Sequence, residues 1–201
     1  MDEFFNSKEF KEKLARYEEA CQQGLSVFLD ADDMADIAEY YHLQHRDEEA
    51  VEVCDKAIAM FPHSLRPLVF RARIELIIHK DSDKAESYLE QIDDTDDLDY
   101  YYLYAEILLV RGKYKDAETY LEDAYDHLED EDDRADFVLD VALLMCDYYR
   151  MDEAQQWLSL SDEPDQADYQ EAKGRIALYR GHYEESEKIF NELLDKDPYS
   201  S

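Results

Sequence analysis

Apolar residues recur along most of this chain at steps of three and four, the spacing that lines one face of an α-helix. Phe10, Leu14, Tyr17 and Cys21 form one such stripe near the N-terminus. Farther on, the stripes come in pairs. Five segments share a skeleton of amphipathic helix, tight turn and second helix, the second opening with charged residues and a small one. These openings read Asp47-Glu48-Glu49-Ala50, Asp83-Lys84-Ala85, Lys115-Asp116-Ala117, Asp152-Glu153-Ala154 and Glu184-Glu185-Ser186. Their small residues lie 35, 32, 37 and 32 residues apart, 34 on average. Four residues after each stands an apolar one: Cys54, Leu89, Leu121, Leu158 and Phe190. Twelve or thirteen residues before each stands another small one: Ala38, Ala72, Ala105, Ala142 and Gly174. A large side chain at such points would hold crossing helices apart, so the pattern predicts an all-α fold of closely packed helical hairpins.

Punctuation agrees with the period. Gly112 and Gly181 stand where a first helix ends, and glycine suits the left-handed conformation there. Phe61-Pro62 and Asp197-Pro198 close second helices, because proline disfavours helical geometry in the residue before it. The second hairpin carries one extra residue, which the sequence places in its turn around Asp81-Ser82-Asp83; in the fourth, Ser161 and Pro164 predict a shortened second helix. Residues 1–30 read as an N-terminal capping helix and connector. Asn6 to Glu9 has the form of a capping box with Asn6 as N-cap, Gly24 ends the helix, and Leu25–Leu29 is an apolar linker.

Charge narrows the function. Across 201 residues, 53 Asp and Glu face 21 Lys and Arg, a formal net charge of −32. Nucleic acid and anionic membrane surfaces would be repelled, so neither is an expected partner. With only four Gly and four Pro, the chain is poor in residues that tight β-turns require. The start, Met1-Asp2-Glu3-Phe4-Phe5-Asn6, is acidic where a secretory leader would be basic. No apolar run reaches the length of a membrane span, and three widely spaced cysteines on apolar stripes (Cys21, Cys54, Cys146) suit a reducing compartment. A cytoplasmic location is the expectation.

Chemistry finds little purchase. The runs Asp93–Asp99 and Glu129–Asp133 lack the glycine of a calcium loop and read as caps and dipole partners of the helices they precede. His42 and His45 are three apart, but no third and fourth ligand stands nearby. No nucleophile elbow, phosphate loop or dinucleotide fingerprint occurs, and the three cysteines are expected to be inert core thiols. No catalytic residue, cofactor site or metal site is expected, and the protein is not expected to be an enzyme.

The hairpins resemble the tetratricopeptide-repeat family, whose unit of about 34 residues has the form W-x2-L-G-x2-Y … A-x3-F … P. Gly174, Gly181, Tyr183, Phe190 and Pro198 match it in the fifth repeat; Ala105, Gly112, Tyr114, Ala117 and Ala124 in the third; Ala38, Tyr41, Ala50, Ala57 and Pro62 in the first. No repeat carries the first tryptophan. The resemblance covers 31–201 in five repeats (31–64, 65–97, 98–132, 133–165, 166–201) and implies a right-handed superhelical solenoid. It further implies a concave groove lined by the first helices, which holds peptides or partner helices. By register that groove takes in Glu39, His42, Arg66, Arg73, Tyr102, Glu106, Leu109, Leu143, Asp147, Arg175 and Tyr179, together with Asp32, Asp99, Asp136 and Glu171. The family's lysine and asparagine clamp for a terminal carboxylate is missing, with Ala35, Glu39, Asp99 and Leu103 on the corresponding faces. The function expected is a non-enzymatic interaction scaffold for a protein or peptide of basic and apolar character. The alternative is a structural, self-assembling module or a regulatory segment of a longer protein. Self-association would run through the fifth repeat, where no further polar helix covers Phe190 and Leu194.

Overall fold

Each of five short turns between consecutive helices of this chain holds one residue in the left-handed region. These residues are His45, Lys80, Gly112, Tyr149 and Gly181, with φ of 59, 58, 72, 58 and 79°. Each stands five residues before the small residue that opens its second helix. Two are the glycines marked by the sequence; the other three are side-chain-bearing residues, for which this conformation costs roughly 1–2 kcal/mol.

The computed structural model describes residues 3–25 and 28–196. Its helices are α1 (Glu3–Asn6), α2 (Lys8–Gln23), α3 (Ala31–Leu43), α4 (Asp47–Met60), α5 (Leu65–Ile74), α6 (Ser82–Leu89) and α7 (Leu98–Val110). There follow α8 (Tyr114–His127), α9 (Glu131–Asp147), α10 (Met151–Leu158), α11 (Ala167–Tyr179) and α12 (Tyr183–Lys196). No strand occurs among the described residues. None of the described helices is long and apolar enough to cross a membrane. The chain divides into two compact units, Met1–Arg111 with α1–α7 and Gly112–Ser201 with α8–α12. Pro198, expected to close the last helix, lies outside the described residues, as do Met1 and Asp2.

Three local expectations are corrected. The N-cap of α2 is Ser7 rather than Asn6: Ser7 Oγ accepts the Phe10 N–H at 3.1 Å, and Asn6 is the last residue of α1. The extra residue of the second hairpin is not in the turn but inside the first helix, where α5 continues as a π-helical turn, Glu75–His79. Hydrogen bonds across the turns show the insertion. Arg46, Arg150 and His182 each donate their N–H to a carbonyl five residues back (2.8, 2.8 and 2.9 Å), whereas Asp81 reaches six residues back to Glu75 (3.0 Å). Third, Cys21 is exposed rather than buried.

The acidic runs act as caps. Asp97 Oδ1 accepts from the Asp99 N–H at 2.8 Å, and Asp130 Oδ1 from the N–H groups of Asp132 and Asp133 at 2.9 and 3.2 Å. Short α10 agrees with the sequence. Short α6 was not anticipated: there the Gln91 side-chain amide, at 2.7 Å, takes over the Ser87 carbonyl that a continuing helix would bond through its backbone.

In the first unit, α2 covers the first hairpin. Phe10 lies against Tyr40 (ring centroids 5.3 Å apart), Lys13 pairs with Asp33 at 2.5 Å, and the Tyr41 hydroxyl donates to Glu18 at 3.2 Å. One apolar cluster joins Phe5, Phe10, Tyr17, Met34, Ile37 and Val53, and a second joins Leu68, Leu76, Leu89, Leu103 and Ile107. Burying each large side chain contributes about 1.5–3 kcal/mol. In the second unit, Phe137 and Trp157 meet edge to face at 5.9 Å. The crossing of α11 and α12 has no spare room, since a Cβ on Gly174 would stand 2.9 Å from Phe190 Cζ and 3.2 Å from Ile189 Cγ2.

Candidate functional site

Helices α3 and α5 pack side by side and, with the start of α7, enclose an open pocket of about 390 Å³. Ala35 and Leu43 come from α3, and Val69, Phe70 and Ile74 from α5. Ile77 and Ile78 come from the π turn and stand 55% and 40% exposed. All of these are apolar. The rim is charged. Glu39 and His42 rise from α3, Arg66 and Arg73 from α5, and Asp99 from α7.

The rim's two arginines stand between carboxylates of neighbouring helices. Arg66 is 2.7 Å from Asp36 and 3.9 Å from Glu39; Arg73 is 3.6 Å from both Asp99 and Glu106. Four carboxylates thus pair with two guanidinium groups, and two of the four, Glu39 and Asp99, stand on the rim itself. The His42 ring meets Phe70 edge to face at 5.8 Å, and its Nδ1 lies 2.6 Å from Asp47.

The π turn behind the pocket is anchored by a buried ion cluster. Glu75 is 1% exposed. Its carboxylate has Arg71 Nη1 and Lys84 Nζ at 2.5 Å on one oxygen and His79 Nδ1 at 2.7 Å on the other. Arg71 continues to Asp55 at 3.0 Å. Burial would raise the Glu75 carboxyl, but Lys84, His79 and Arg71 together hold it down to about 2.

In the second unit, α9 and α11 form another pocket of about 390 Å³, lined by Cys146, Asp147, Tyr149, Met151, Arg175, Leu178 and Tyr179. Arg175 pairs with Asp147 across it and with Glu171 at 3.6 Å. Tyr149 and Tyr179 are well exposed.

The residues singled out from the sequence therefore have different places. Glu39, His42, Arg66, Arg73 and Asp99 line the first unit's pocket, and Asp147, Arg175 and Tyr179 the second unit's. Glu106 takes part through Arg73. Tyr102 and Leu143 are half-buried and line neither, while Leu109 is 3% exposed and has almost no surface to offer a ligand. The apolar half of the first pocket, above all Phe70, Ile77 and Ile78, was missed. Phe70 and Ile77 follow Arg66 and Arg73 by four residues, so helical register alone could have placed them; for Ile78 the signal was the thirteen-residue step from Ala72 to Ala85, where the other hairpins have twelve.

The thiols divide. Burial pushes Cys54 up to about 12 and Cys146 up to about 11, so both are held as thiols. Cys21, contrary to the sequence reading, stands beside a basic group, with Lys56 Nζ 3.8 Å from its sulfur.

No protein-family model matches this chain, and no curated protein matches its sequence. Solved structures do. TTC0263, a thermophilic tetratricopeptide-repeat protein of Thermus thermophilus, superposes with a TM-score of 0.61 at 17% identity, covering 85% of this chain and 93% of that one. PilW, a type IV pilus biogenesis factor, superposes with a TM-score of 0.60 at 16% identity, covering 99% of this chain and 91% of that one. The fold is the tetratricopeptide-repeat fold. Within the units, α3 packs on α4, α5 on α6, α9 on α10 and α11 on α12, the helical hairpins of which that fold is built.

Proposed function

We propose that this chain is a non-enzymatic interaction scaffold whose first unit holds a segment of a partner protein in the pocket between α3, α5 and α7. The observation that carries the reading is the contrast within that pocket. An apolar floor and wall from Val69, Phe70, Ile77 and Ile78 carries Glu39 and Asp99 on its rim, and the rim's two arginines also pair with Asp36 and Glu106 beside it. A segment that presents an apolar side chain between lysines or arginines satisfies both halves. Its aliphatic or aromatic group leaves water against the floor, and its cations meet the rim. The net charge of −32 adds long-range attraction for such a partner and repels nucleic acid.

A fluorescently labelled peptide of leucine and lysine with its leucines on one helical face, titrated with the intact protein, tests the reading. The same composition scrambled to remove the stripe is the control. The striped peptide is expected to bind about tenfold more tightly, as befits an apolar anchor in a desolvated pocket. Glu39→Lys together with Asp99→Lys is expected to weaken it further than raised salt does. Equal affinity for the two peptides contradicts the proposal.

A further inference from the structure

The extra residue in the second hairpin falls where it changes the pocket rather than the turn. We infer that the π turn Glu75–His79 is the specificity element of the pocket, set to receive one bulky aliphatic side chain of the partner beside Ile78. This rests on the reading of the pocket given above and adds to it which part of the wall selects the ligand.

An uninterrupted α-helix turns about 100° per residue. On such a helix Phe70, Arg73 and Ile77 would lie within about 40° of Arg66, on the pocket side, and Ile78 about 120° away, beside the pocket rather than in it. The structure instead has both Ile77 and Ile78 lining the pocket. A π turn closes on i→i+5 bonds and fits an additional residue into each turn, so rotation lags and Ile78 stays on the pocket side. The gain is a second isoleucine in the pocket's lining, next to Ile77.

The distortion is held from both sides. The Glu75 carbonyl accepts the Asp81 N–H at 3.0 Å, and its buried carboxylate gathers Arg71, His79 and Lys84. Glu75 is thus a positioning residue, out of reach of any ligand and responsible for where Ile77 and Ile78 stand.

The peptide assay decides the matter with three further variants in the full chain: Ile78→Ser, deletion of Ile78, and Glu39→Lys. Deletion restores the twelve-residue spacing, and Ile78→Ser changes an exposed side chain, so at least one folded variant is secured. Circular dichroism and a thermal melt identify which. The striped peptide is expected to lose about tenfold in affinity with either Ile78 variant, an apolar anchor's usual worth, while the scrambled peptide is unaffected. Affinity for the striped peptide that falls in Glu39→Lys, with its preference over the scrambled peptide kept in both Ile78 variants, overturns the inference and leaves the pocket reading intact. No preference in the unmodified protein overturns both.

Discussion

Glu75 is the residue on which most local charge depends. Its carboxylate is buried, three cations converge on it, and removing its charge would take from Arg71 one of its two carboxylate partners. Glu75→Gln is expected to cost about 3–5 kcal/mol at neutral pH, the usual effect of breaking a buried ion pair from one side. The pH dependence has a definite sign. The carboxyl titrates at about 2 in the folded chain and near 4.3 when unfolded, so its stabilisation is complete above the unfolded value and fades as pH falls toward 2. Thermal melts from pH 6 to pH 2 should show the gap between the original chain and Glu75→Gln closing; a constant gap would refute the cluster. Cysteines make the second residue-scale case. Buried Cys54 and Cys146, raised to about 12 and 11, should resist a thiol reagent until denaturant is added, while exposed Cys21 reacts at once. Three thiols reacting together in the native protein would contradict this placement. Cys21 also marks what periodicity cannot resolve: it continues the stripe of Phe10, Leu14 and Tyr17, but it falls at the helix end, where α2 has little left to cover it.

At the scale of elements, the small residues were the most legible feature because close helix crossings exclude side-chain volume. Gly174 shows this directly, with Phe190 and Ile189 against the space where a Cβ would be. Gly174→Val is expected to lower stability by about 1–3 kcal/mol through overpacking, despite valine's better helix propensity. A melting temperature equal to that of the original chain would show that the crossing has slack. Turns were legible only where glycine marked them. His45, Lys80 and Tyr149 adopt the same left-handed conformation without a residue that announces it, since a packed hairpin can impose what local preference opposes. For the same reason the sequence locates an inserted residue in the second hairpin yet puts it in the turn. The turn keeps its left-handed residue five before Ala85, as in the other hairpins, and the surplus residue lies in the helix before it. The Asn6 misreading has a simpler cause: adjacent Asn6 and Ser7 are both good caps, and only the start of α2 separates them.

For the whole molecule, charge is the property that sequence states most completely and structure qualifies. Of the 53 acidic residues, several cap helices and others bind arginines across helix pairs, such as Asp36 to Arg66 and Asp83 to Arg111. Much of the remainder faces water and repels itself, so raising salt from low to moderate concentration is expected to raise the melting temperature. A melt that falls or stays level would mean the acidic groups are already balanced locally. The polar half of the candidate site was visible in this way, through register and charge; of its apolar half, Phe70 and Ile77 lay within reach of the same register, whereas Ile78 depends on a helical distortion that no residue type signals. The most direct measurement is a titration of the intact protein, isoleucine-methyl labelled, with the striped leucine–lysine peptide, followed by NMR. The account predicts shifts concentrated at Ile74, Ile77 and Ile78, with Ile58, Ile92 and Ile189 unmoved. Shifts spread evenly over all the isoleucines, or confined to those outside the pocket, would contradict it.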